Sequence, residues 1–396
     1  MYGSTELRRE LAELVNTRFK AKRQVDEHNI FVTNGAGSAV NDLILATCDA
    51  GDGVLIPSPY YGGFEPDARI VGKVHSVPVP APQSSPHFQP SIPAFESAMQ
   101  LARLHNIAIK AIIVCTPNNP TGRTIPREII RSYLEFAKQH KLHAIVDEVY
   151  ALSVFREDEA AGLAPFESVL SWENIPDPER THIVWSFSKD FGMSGMRSAA
   201  AITYSKAVHH AMHPYAVFTA IPRAIEDALT RMLSDTDFVT SYLAENNRRI
   251  NDHYEHLTKI LTTAGIEYLP ANAAFFLWID LRKWVNLLAG HTAGSHVQRN
   301  DETHLLATIT EPPTPTSEDT TGALPPLAPI PTNRKEELCL FEKFIDGGVY
   351  AAPGAAFASP ESGWFRIVYA MDKEILEEAV GRMVKVLRQI EAESHS

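Results

Sequence analysis

Apolar residues recur along the chain with two periods, and segments of the two kinds alternate. Leu7, Leu11, Leu14, Val15 and Phe19 fall on one helical face, with Ser4 or Thr5 available as the cap. Short runs at 30–33, 53–56, 73–79, 110–114, 143–146, 182–185 and 199–204 read as strands. Helical patterns stand between and after them: the apolar stretch through Leu43, Leu45 and Ala46, then 95–105, 127–141, 222–233 and 242–261. Strands alternating with helices predict an α/β fold, with a large domain built on a mostly parallel sheet.

A second, smaller α/β unit starts with strand-like runs at 267–269 and 274–279. It resumes with a helix at 336–345, a strand at 363–369 and a helix at 373–391 with Leu376, Val380, Met383, Leu387 and Ile390 on one face. The expected division is 1–235 for the large domain and 236–396 for the small one. Between Asn286 and Asn333 the pattern breaks. That stretch is rich in proline and poor in large apolar residues, so 286–333 is expected to be a disordered insertion, unable to bury enough surface to offset its ordering entropy.

A chain of 396 residues has room for two or more units. Its 36 basic and 48 acidic residues leave a net charge of −12, which argues against binding nucleic acid or an anionic membrane. Cys48, Cys115 and Cys339 are too scattered for a disulfide framework or a zinc site, and the 16 histidines, His209-His210 included, lack a recurrent ligand spacing. No apolar run is long enough to span a bilayer, and the start Met1-Tyr2-Gly3-Ser4-Thr5 has no signal layout. Cytoplasm is the default expectation.

The candidate chemistry sits where strands end. The run 182–185 leads into Ser186-Phe187-Ser188-Lys189-Asp190-Phe191-Gly192-Met193-Ser194-Gly195-Met196-Arg197. A lysine at the mouth of a sheet can lose its proton and attack a carbonyl as the free amine. Ser186 and Arg197 on either side could hold a phosphate. The turn Asn34-Gly35-Ala36-Gly37-Ser38 joins a strand to a helix N-terminus, a second anion cradle. Tyr60-Tyr61 follows another strand on a Pro/Gly loop and suits ring stacking. Asp147 ends a buried strand, where a carboxylate is costly without a cation. Arg366 stands mid-strand among apolar residues, where a bound carboxylate would pair with it.

Six motifs in this order, among them Asn119-Pro120-Thr121-Gly122, Asp147-Glu148-Val149-Tyr150 and Trp364-Phe365-Arg366, resemble the fold type I pyridoxal-phosphate enzymes of the aspartate aminotransferase superfamily. The lysine segment is most similar to that of 1-aminocyclopropane-1-carboxylate synthase and its relatives, S-x-S-K-D-x-G-x-x-G-x-R. The resemblance implies pyridoxal 5'-phosphate linked to Lys189. Its phosphate would rest on Ser186, Arg197, Ala36, Gly37 and Ser38. Tyr61 would stack on the pyridine ring, Asn119 and Tyr150 bond its oxygen, and Asp147 keep its nitrogen protonated. Lys189, Tyr150 and Asp147 would be catalytic, Arg366 would grip the substrate α-carboxylate, and Glu148 would be structural. The family form is a homodimer with shared sites, Tyr2 reaching the neighbour's cofactor.

The implied activity is amino-group transfer from an amino acid to a 2-oxo acid. The alternatives are a synthase-like or carbon–sulfur lyase reaction on a sulfur-containing amino acid, or a truncated, catalytically impaired cofactor-binding protein. The last is raised because the family's N-terminal arm and substrate-recognition glutamate have no counterpart ahead of Tyr2.

Overall fold

The structure, a computed structural model, describes residues 2–81, 85, 88–158, 162–292, 327 and 331–394. Seven strands form the larger sheet: β1 (Ile30–Thr33), β2 (Gly53–Ser58), β3 (His75–Pro80), β4 (Ile109–Cys115), β5 (His143–Asp147), β6 (Thr181–Ser186) and β7 (Ala199–Thr203). Their order is β1-β7-β6-β5-β4-β2-β3. From β6 to β3 every pairing is parallel, while β7 runs antiparallel to both β6 and β1. The carboxyl ends of β1, β2, β4, β5 and β6 therefore open on the same edge, where ligands bind in sheets of this kind.

The strands are short apolar runs because both faces are covered. Leu55, Ile112, Val114, Val146 and Trp185 face a core shared with helices Thr5–Arg18, Ile92–Leu104 and Arg127–Gln139. The alternate residues Val54, Ile56, Ile113, Ile145 and Val184 face a second core with helices Ala36–Thr47 and Lys206–Met212. Ser4 is the cap of the first helix, accepting from the Leu7 amide at 3.2 Å.

The smaller sheet is antiparallel throughout: β8 (Glu267–Leu269), β9 (Phe276–Asp280), β10 (Ala352–Pro353) and β11 (Trp364–Val368), in the order β10-β11-β9-β8. Helices Thr236–Thr263, Arg282–Thr292, Arg334–Asp346 and Lys373–Ser394 close a separate core around Leu261, Trp284, Phe344, Phe365 and Leu387. None of the described helices is long and apolar enough to cross a membrane.

One boundary is corrected. Asn286 does not open an insertion, because 286–292 completes helix Arg282–Thr292. Trp284, Val285 and Leu288, spaced to share a helical face, are buried against the second core and carry the helix past the expected break. The described chain resumes at 331, and Asn333 precedes helix Arg334–Asp346. The rest of the expected insertion, 293–326 and 328–330, lies outside the described residues.

The two sheets meet at Gly122 and Asn272. The amides of Asn272 and Ala273 both donate to the Gly122 carbonyl, at 3.0 and 2.9 Å. The Asn272 side chain accepts from the Thr124 amide (3.0 Å) and donates to Thr124 Oγ1 and the Ala164 carbonyl (both 2.9 Å). Gly122 has φ +66°, and a Cβ there would lie 2.9 Å from both Ala271 Cβ and the Phe276 carbonyl. Gly122→Ala is therefore expected to cost more than about 1 kcal/mol of unfolding free energy in a denaturant titration, combining backbone strain with a steric clash.

Candidate active site

Lys189 is carried by a single helical turn, Phe187–Asp190, at the end of β6. Ser186 starts the turn. Its hydroxyl accepts from the Ser188 amide at 3.0 Å and donates to the Ser198 carbonyl at 3.2 Å. Burial holds the Lys189 amine below the ordinary lysine range, reinforced by the Arg366 and Arg197 guanidiniums and opposed by the Asp147 carboxylate.

The phosphate-sized side of the site is built by the turn after β1. Gly35 has φ +118°, and helix Ala36–Thr47 begins without a side-chain cap, so the amides of Ala36, Gly37 and Ser38 open its first turn. Arg197, in the left-handed conformation at φ 49°, lies against Gly35 and donates to the Asn34 (3.1 Å) and Ser194 (3.0 Å) carbonyls. The Ser38 hydroxyl bonds Asn34 Oδ1. Asp67, which the sequence reading did not single out, brings its carboxyl group to Gly37: a Cβ there would meet Oδ1 at 3.0 Å. Burial pushes its pKa up to about 6.

Asp147 lies at the carboxyl end of β5, 5% exposed. It accepts from the Val149 amide at 3.2 Å, and no ion pair holds it among the described residues. Burial raises its pKa to about 7. Glu148, next in sequence, accepts from Ser168 Oγ (2.6 Å) and the Val169 amide (2.8 Å). Tyr150 is buried, with its phenol raised well above the usual range by desolvation. Tyr61, 45% exposed, has its phenol raised by burial and by the Asp67 and Asp147 carboxylates, against the Arg366 and Arg197 guanidiniums, so charges from four segments act on this ring.

Arg366 on β11 reaches the site from the smaller sheet. It donates to Asn119 Oδ1 at 2.9 Å and lies over the rings of Phe276 (5.2 Å) and Phe357 (4.7 Å). Its Nε is buried without a protein partner. Phe275 faces Lys189, its ring centroid 5.9 Å from Nζ. Neither Phe275 nor Phe276 stood out in sequence, where both look like strand core. Tyr2 packs elsewhere in its own chain, with ring centroids 5.3 Å from Phe31 and 4.6 Å from His213.

The donor set has a clear chemical complement. An uncapped helix start with Arg197 and Ser186 takes an anion, Asp147 takes a buried cation, and the amine of Lys189 takes a carbonyl. Pyridoxal phosphate carries all three groups, and the residues present fit it. No group of three or more metal-ligating side chains occurs among the described residues.

The family profile described as aminotransferase class I and II matches residues 1–383. The chain is 32% identical over 392 residues to a Bos taurus protein named 1-aminocyclopropane-1-carboxylate synthase-like protein 1, covering 97% of this chain and 68% of that one. It is 30% identical over 393 residues to a Mus musculus protein named probable inactive 1-aminocyclopropane-1-carboxylate synthase-like protein 2, covering 98% of this chain and 59% of the relative. With Arabidopsis thaliana 1-aminocyclopropane-1-carboxylate synthase 6 it shares 31% identity over 396 residues, 99% of this chain and 70% of that one. The chain thus spans 59–70% of the length of these relatives. Among solved structures it is similar to Thermus thermophilus aspartate aminotransferase with maleate (TM-score 0.73, 22% identity, 97% of this chain and 82% of that one). A Pyrococcus horikoshii aromatic aminotransferase is similar to the same degree (TM-score 0.74, 23% identity, 98% and 86%). At these identities the structural likeness establishes the fold.

A pH test follows from Asp147. The folded, cofactor-free chain keeps its proton up to about pH 7, whereas an unfolded aspartate loses it near 3.8. Folding takes up a proton between those values, so this group's effect is to lower stability as pH rises through the window. Asp147→Asn should match the parent near pH 4 in denaturant unfolding and become the more stable of the two toward pH 8. An unchanged difference between the proteins across that range would contradict the assignment.

Proposed function

The chain belongs to the aminotransferase class I and II family, and from that premise we propose that it is a pyridoxal-phosphate-dependent enzyme that transfers the α-amino group of an amino acid to a 2-oxo acid. The observation that carries this reading is the convergence of a lysine of lowered pKa, a buried carboxylate with no ion pair among the described residues and an arginine from the second sheet.

When bound, pyridoxal phosphate supplies an electron sink for negative charge developing at the substrate α-carbon. Asp147 would pair with the protonated ring nitrogen. Ser186, Arg197 and the amides of Ala36, Gly37 and Ser38 would hold the phosphate, Tyr61 would pack on the ring, and Asn119 and Tyr150 would bond its oxygen. Arg366 takes the substrate α-carboxylate as a bidentate fork, giving up its contact with Asn119. Lys189, whose amine desolvation and the facing guanidiniums hold below the ordinary lysine range, is the base placed to take the α-proton at its Nζ.

The working form we propose is a cytoplasmic homodimer, divided at about residue 235 into a cofactor-holding unit and a second unit bearing Arg366. Val217 and Phe218, 60% and 80% exposed, offer apolar surface close in sequence to His213, on which Tyr2 stacks. That placement supports Tyr2 serving a neighbouring subunit. A second reading, favoured by the names of the curated relatives, is elimination or cyclisation on a sulfur-containing amino acid. The name of the Mus musculus relative keeps an impaired protein in view, although Lys189, Asp147 and Arg366 are all in place here.

Wild-type protein supplied with pyridoxal phosphate should show a visible band that borohydride abolishes, and Lys189→Ala should lack it. A borohydride-sensitive band in that variant would exclude Lys189 as the attachment point. Arg366→Ala should raise KM for the amino acid on the order of 100-fold, as expected for losing a buried charge pair. Product analysis separates the reactions: a 2-oxo acid formed together with a new amino acid supports transfer, while release of ammonia or a cyclopropane product supports the second reading.

A further inference from the structure

Asp190 follows Lys189 directly and is completely buried. Its Oδ2 accepts from Trp185 Nε1 at 2.7 Å and from the Leu152 amide at 3.0 Å, and its Oδ1 accepts from the Ser153 hydroxyl at 2.6 Å. Trp185 is the penultimate residue of strand β6, which leads into the lysine. Leu152 and Ser153 lie just beyond Tyr150, on the turn that leaves β5. That turn is wound on itself, the Ser153 amide donating to the Tyr150 carbonyl at 3.0 Å and the Ala151 amide to that of Glu148 at 2.9 Å. Asn247 of helix Thr236–Thr263 braces it from behind, donating to the Leu152 and Val154 carbonyls at 3.1 and 3.2 Å.

We propose that Asp190 is a positioning residue: its carboxyl group fastens the turn bearing Lys189 to the turn bearing Asp147 and Tyr150, and so fixes the amine relative to both. The inference rests on the reading of Lys189 as the reactive amine. β5 and β6 are neighbours in register, Asp147 opposite Val184, and the last backbone bond between them runs from the Glu148 amide to the Val184 carbonyl at 2.9 Å. Beyond that point, the Asp190 side chain bridges the two turns through donors from each.

The role needs shape rather than charge. All three donors are neutral groups, and burial raises the pKa of Asp190 to about 7. An asparagine can satisfy the same donors: its carbonyl oxygen replaces Oδ2, and its amide donates to the Ser153 oxygen, which can also accept. An alanine leaves Trp185, Leu152 and Ser153 without their acceptor.

The test follows the amine itself. In the cofactor-free full chain, modification of Lys189 by trinitrobenzenesulfonate is measured against pH by mass spectrometry. The groups facing this amine are Arg366, Arg197, Asp147 and Cys115, and they set its midpoint only while it is held among them. Wild type and Asp190→Asn should share a midpoint below that of an ordinary lysine. Asp190→Ala should raise it by about one unit, as the amine swings toward water. Ser153→Ala, which removes one donor and leaves the backbone intact, should move it in the same direction and decides the matter if Asp190→Ala does not fold. Leu387→Ala, in the second core, should lower thermal stability without moving the midpoint.

A midpoint unmoved in Asp190→Ala and Ser153→Ala, or moved as far by Leu387→Ala, would reduce Asp190 to an ordinary core residue. An Asp190→Asn midpoint equal to that of Asp190→Ala would overturn the geometric account. A wild-type Lys189 that titrates as an ordinary lysine would overturn the reading of the site and this inference together, whereas a depressed wild-type midpoint with unmoved variants overturns the inference alone.

Discussion

Asp147 occupies a position that folding by itself does not reward. A carboxyl group almost wholly removed from water, bonded by the Val149 amide and the Cys115 thiol, has its pKa pushed by burial up to about 7 although the Lys189 amine acts against the shift. Lys189 is displaced in the opposite sense, toward its neutral amine. An acid and a base pushed toward each other in one enclosed space mark a site adapted to a ligand carrying charge of its own. The parallel edge makes this arrangement possible, because β5 and β6 deliver both groups to the same side of the sheet.

Much of this is legible in the sequence. Asp147, Tyr150, Lys189 and Asn119 each stand just after a short apolar run, and the end of such a run is visible as a change from aliphatic to polar residues; Arg197 is legible by its spacing from Lys189. Arg366 was legible for the opposite reason, as a charge standing inside an apolar run. Asp67 was not, since its carboxyl group reaches the helix Ala36–Thr47 only through the packing of a separate short helix, Phe64–Arg69. Phe275 and Phe276 read as core because aromatic residues in a strand usually are. Asp190 lay within the lysine motif, yet its donors come from Trp185 and from a turn almost forty positions away.

The helix runs past Asn286 because periodicity, not composition, decides there. Proline enrichment begins well beyond that point, whereas Trp284, Val285 and Leu288 continue a helical face across it. The joint at Gly122 and Asn272 was invisible for a different reason. It depends on a left-handed backbone and on backbone–backbone bonds between distant segments, neither of which has a side-chain signature. That joint nonetheless sets how the second sheet approaches the first, and hence where Arg366 meets Asn119.

The bond from Arg366 to Asn119 also bears on how fast the site empties. A guanidinium left bare between Phe276 and Phe357 would hold any carboxylate very tightly, and the departing acid would have to leave an unsolvated charge behind. If Arg366 takes a substrate carboxylate as proposed, the outgoing carboxylate is replaced by a neutral amide oxygen already within reach. The net grip on substrate and product alike is then the difference between two acceptors. Such an exchange keeps ground-state affinity moderate and favours repeated turnover over retention.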